Sequence, residues 1–166
     1  MMMPDGLRIE HFLHVAWNAE DMMALDARTG DPASQAIWEA FALLLAVATW
    51  RPLLEVVQGT LELRGDAQGV LQAVLSRRAR CPTINLIIAE MQLVLGASML
   101  DMFASHVWSE ENEVADALSR LAEGAAMPED CATAKKWEAV RLCWRFVGHR
   151  KRKPPQKPEQ RVPLLD

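Results

Sequence analysis

Three acidic residues carry the chemistry this sequence could perform. Glu39 is the only charged residue between Asp31 and Arg51. An acid alone in so apolar a segment must be paired, neutral or near a cation, because a bare charge is costly to bury. Asp66 directly follows the alternating stretch Thr60-Leu-Glu-Leu-Arg64 and the Gly65 that breaks it. Positions just past the C-terminal end of a strand in an open α/β sheet are favoured for ligands. Asp116 sits in Asn112-Glu-Val-Ala-Asp116-Ala-Leu-Ser-Arg120, one turn into an expected helix. Each acid also has a plainer reading. Glu39 could mark a solvent edge, Asp66 could cap a helix, and Asp116 could be a surface acid favoured by a helix dipole. Together, an acid in mid-helix, one after a strand and one on a later helix can converge on one edge of a sheet. Such a cluster repels itself unless a cation is present. Oxygen-only ligands suit Mg²⁺ or Mn²⁺ rather than zinc. Two such ions about 4 Å apart activate a water and stabilise the leaving oxygen of a phosphodiester.

Other chemistries find less support. Cys81, Cys131 and Cys143 are scattered and form no C-x-x-C pair, so neither a zinc site nor a disulfide framework is expected. Reduced thiols in an intracellular protein are the simplest reading. The longest apolar run, residues 41–50, falls short of the roughly twenty residues that span a bilayer. No basic-then-apolar leader opens the chain. The expectation is a soluble protein, cytoplasmic or nuclear. Net charge is −4, unevenly spread: residues 149–166 are +4 and the rest −8. The basic run Arg150, Lys151, Arg152 and Lys153 is a candidate nucleic-acid contact or nuclear-localisation stretch, and equally a solvated linker. An acidic body is not the usual footprint of a nucleic-acid binder. Acid clusters that hold metal ions would make part of the deficit.

The elements that position these residues follow from periodicity. Half the residues are hydrophobic, enough for a core. Residues 9–16 alternate imperfectly and predict a strand, followed by a loop with a helical turn over 20–25. Asp31 and Pro32 suit the cap and first position of a helix that runs through Ile37, Phe41, Leu44 and Leu45 and ends before Pro52. That helix is apolar nearly all round, so it should pack on a sheet. Period-two patterning predicts strands over 60–64 and 100–108. Helices are predicted over 67–78, from Pro82 to near Gly96, over 113–121 and over 132–147. This order is α/β. It divides into a domain over 1–125, an extra helical segment over 126–148 and a basic, proline-rich tail over 149–166.

The motifs resemble a known family, the ribonuclease H domains of reverse transcriptases, nearest those of long-terminal-repeat retrotransposons. His106-Val107 followed by Asn112-x-x-Ala115-Asp116-Ala-Leu-Ser119-Arg120 is similar to the family's closing motif. Gln35-Ala-Ile-Trp-Glu39-Ala-Phe-Ala-Leu-Leu looks like the helix that carries its glutamate. Leu63-Arg-Gly-Asp66-Ala-Gln-Gly-Val looks like the strand end that carries its second aspartate. The resemblance covers about residues 7–121. It implies a ribonuclease H-like fold, a mixed sheet flanked by helices, lacking the first strand or strands. It implies an endonuclease, a hydrolase cutting the RNA strand of an RNA/DNA hybrid with two magnesium or manganese ions held by four acids. Glu39, Asp66 and Asp116 match the second, third and fourth, as metal ligands and catalytic residues. Nothing matches the first, so weak or absent hydrolysis is expected, with other domains of a retroelement polyprotein as partners. The alternatives are an active nuclease completed by another chain, a non-catalytic nucleic-acid or protein interaction module of the same fold, and a helical scaffold with all three acids solvated.

Overall fold

The structure, a computed structural model, describes residues 9–57, 59–96, 100–108 and 111–140. It is a mixed α/β arrangement. In chain order the strands are β1 (His11–Leu13), β2 (Gly59–Gly65), β3 (Leu100–His106) and β4 (Lys135–Trp137). The helices are α1 (Ala19–Leu25), α2 (Gln35–Leu54), α3 (Gln68–Ser76), α4 (Pro82–Leu95) and α5 (Glu113–Ser119).

Local chemistry explains most boundaries. Asn18 opens α1 with a reciprocal capping box: its side chain accepts from the Asp21 N–H, and the Asp21 carboxylate accepts from the Asn18 N–H. Asp31 caps the 3₁₀ turn Pro32–Ser34 that leads into α2, accepting from the Ala33 N–H at 3.0 Å and the Ser34 hydroxyl at 2.9 Å. The Trp38 indole donates to the Arg28 carbonyl at 3.1 Å and stacks on Trp17, fastening the incoming chain to α2.

Helix α2 runs through Pro52 to Leu54, three residues beyond the expected stop. The proline falls in the last turn, so it forfeits one bond to the Ala48 carbonyl and leaves the helix otherwise intact. With its leading 3₁₀ turn, this 23-residue element is long and apolar enough to cross a membrane by length and composition. Here it serves as the core helix. Its buried face packs chiefly on α4 and also touches α3. Phe41, Leu44, Val74, Ile88 and Met91 are among the most deeply buried side chains. Burying each contributes roughly 1.5–3 kcal/mol over leaving it exposed.

Strands β2 and β3 pair in parallel, from Gly59 opposite Leu100 to Gly65 opposite His106. A parallel pair needs a long crossover, and α3 and α4 form it. Leu61, Leu63, Met102 and Ala104 turn toward the core, where α3 covers both strands. Among the described residues, the expected mixed sheet under α2 is replaced by two separate two-stranded sheets, both parallel. In the second, β1 pairs β4, with His11 opposite Lys135 and Leu13 opposite Trp137. The helix expected over 132–147, within the segment 126–148, is therefore corrected for its described part. Residues 126–140 hold the 3₁₀ turn Glu129–Cys131 and strand β4. Distant contacts override helical propensity there. The Trp137 indole donates to His11 Nδ1 at 3.2 Å, and the Val140 N–H donates to the buried Thr49 hydroxyl at 3.2 Å. Residues 141–148 and the tail with Arg150, Lys151, Arg152 and Lys153 lie outside the described residues.

Candidate functional site

Asp66 stands where the strand pair ends. The Val107 N–H donates to the Gly65 carbonyl at 3.0 Å, which carries the pairing one step past β3. Asp66 is the next residue, and it is exposed. It does not cap α3: the cap position is Ala67, and no side-chain cap bond forms. Among the described residues its carboxylate makes no hydrogen bond or ion pair. The simple capping explanation for this aspartate is therefore gone. His106, level with Gly65, packs edge-on against Trp108 at 5.0 Å between ring centres.

Glu39 lies in the second turn of α2 and is half-buried. The Gln35 side chain donates to its Oε1 at 2.9 Å. The helix places it on the wall of a cavity of about 580 Å³ between α2, α3 and the segment entering α4. Ala67, the residue after Asp66, lines the same cavity, as do Arg78 and Arg80. These arginines border the cavity without forming an ion pair to Glu39, whose half-exposed carboxylate is met by Gln35 instead. Sequence reasoning passed over them. The signal was present in the run Ser76-Arg-Arg-Ala-Arg80.

Asp116 is placed differently. It lies in the first turn of α5, a short helix without a buried residue. Its Oδ2 is 2.7 Å from Arg120 Nη2, and both side chains are more than half exposed. Val114, Ala115 and Leu118 of α5 line a second cavity of about 480 Å³, with Phe12, Trp50 and Arg64. The Trp50 indole N–H is buried without a partner there. Among the described residues, the Cys131 thiol is pushed up by burial and then by the adjacent Asp130 carboxylate. Such a thiol is inert rather than nucleophilic.

Among the described residues, no three of His, Cys, Asp or Glu come together as a group able to hold a metal ion. Glu39 and the residue after Asp66 share one cavity, whereas the helix of Asp116 borders the other. In this arrangement the three acids do not fit a pair of divalent cations. Comparison with protein-family models, with curated proteins and with solved structures found no match.

Proposed function

We propose that this chain is a ribonuclease H-like module of retroelement type that engages nucleic acid and has little or no hydrolytic power of its own. The observation that carries the reading is Asp66. It follows the C-terminal end of a parallel strand, caps nothing, and precedes the cavity that Glu39 lines. A free carboxylate at that position is what the family's motif requires. The closing motif through Asp116 adds to the resemblance.

One feature weighs against hydrolysis: no residue of the sequence matches the family's first aspartate. Phosphodiester hydrolysis by two ions needs both the activated water and the stabilised leaving oxygen, each worth several kcal/mol in the transition state. We therefore assign no catalytic step to the three acids as they stand. The test is cleavage of a labelled RNA/DNA hybrid in Mg²⁺ and in Mn²⁺. The 166-residue chain should cleave very poorly or not at all. An added N-terminal strand pair carrying an aspartate should raise activity, and Asp66→Asn should abolish that gain. Brisk cleavage by the unmodified chain, lost on Asp66→Asn, contradicts the assignment of weak activity. An added strand pair without effect under either metal counts against the family reading.

A further inference from the structure

The segment Arg77-Arg-Ala-Arg80 joins α3 to α4. Its three arginines are exposed, and among the described residues none of the guanidinium groups makes an ion pair or hydrogen bond. This is unusual company for a chain whose body outside the tail carries −8. Acids to pair with are plentiful, yet these cations are left unneutralised.

The backbone that presents them is held at Arg77, Arg78 and Ala79. Arg77 ends α3 in the left-handed region, φ 56°, and its N–H donates to the Ala73 and Val74 carbonyls. The Arg78 N–H donates to the Ala73 carbonyl at 3.0 Å, and the Ser76 hydroxyl donates to the Arg78 carbonyl at 3.2 Å. Asn85, reaching back from α4, clamps Ala79 on both sides. Its Oδ1 accepts from the Ala79 N–H at 2.6 Å, and its Nδ2 donates to the Ala79 carbonyl at 2.7 Å. A loop so fastened loses little further backbone freedom when it binds, which favours affinity.

We propose that Arg77, Arg78 and Arg80 form a phosphodiester-backbone contact, which holds a nucleic-acid strand along the mouth of the Glu39 cavity. The proposal rests on the nucleic-acid reading above and adds where the strand is gripped. Guanidinium groups engage phosphate oxygens through paired hydrogen bonds. Arg78 and Arg80 line the cavity that contains Glu39, so a strand held by them passes that acid. The surroundings argue for a polyanion rather than a protein. Protein interfaces are built on an apolar centre, and none of the large exposed hydrophobic residues lies between 77 and 85.

The test uses the full chain and fluorescence anisotropy of labelled RNA/DNA hybrid, without divalent metal, over a range of salt. Arg77→Glu/Arg78→Glu/Arg80→Glu should weaken binding at least about tenfold at fixed salt and reduce the slope of log affinity against log salt by about two to three. The triple lysine variant should retain the slope. Asn85→Ala should weaken binding a fewfold with the slope unchanged, since it frees the loop but removes no charge. Binding by the glutamate variant equal to wild type, with circular dichroism unchanged, overturns the proposal. So does the absence of wild-type binding, or competition by polyglutamate as strong as that by unlabelled hybrid. Arginine-dependent binding without cleavage upholds this contact. Arginine-independent binding of the hybrid overturns it and leaves the function proposed above intact.

Discussion

Asp66 and Asp116 differ in what holds them, and the difference is measurable. Asp116 has a partner in Arg120 one turn away, an exposed pair of the kind worth about 0.3–0.5 kcal/mol. Asp66 has none and caps no helix. Removing a true capping aspartate costs about 1 kcal/mol. Asp66→Asn should therefore change unfolding free energy by less than about 0.5 kcal/mol, the range for surface changes away from specific features. Urea denaturation of the variant checks this, and a loss near 1 kcal/mol would restore a structural role. The identity of these residues was legible in the sequence because an acid amid apolar neighbours, or just past an alternating strand, stands out. Their mutual placement was not. Period and spacing say which face of a helix a residue occupies, but not where α5, which buries nothing, rests against the rest of the molecule.

At the scale of elements, α2 and α4 hold the molecule together. Met91 is fully buried between them, whereas Leu93, two residues on, is 73% exposed. Met91→Ala should cost about 2–5 kcal/mol through lost burial and the cavity left behind, and Leu93→Ala less than about 0.5 kcal/mol. Thermal or urea unfolding of the two variants tests the contrast; equal losses would mean that α4 is rotated on its axis from the placement described. Most element positions could be read from local signals. Asp31 with Pro32, Pro82, Gly96 and the alternation of Leu61 and Leu63 each act within a few residues of themselves. Pro52 was misjudged because a proline in a last turn loses only one bond. Strand β4 was missed because its cause lies far off in sequence, in β1 and Thr49.

At the scale of the whole molecule, α2, α3, α4 and the β2–β3 pair share one core, and the β1–β4 pair joins the two ends of the described chain. Its three residue pairs close a loop from His11 to Lys135. A contact between residues so far apart carries a large closure entropy that must be overcome before it yields any gain, and contacts of that kind slow folding. Strands of three residues return little for it. The expected order of assembly has the helices and the β2–β3 crossover forming first and the ends meeting last, with opening in the reverse order. In native-state hydrogen exchange, the amides of β1 and β4 should exchange through a local opening well below the global unfolding free energy, while those of Ile88 and Met91 in α4 exchange only on global unfolding. Equal protection at both places would make the end-to-end pair part of the cooperative unit. If the ends do part first, the molecule has a hinge-free way to release its outer strands while its helical centre stays folded.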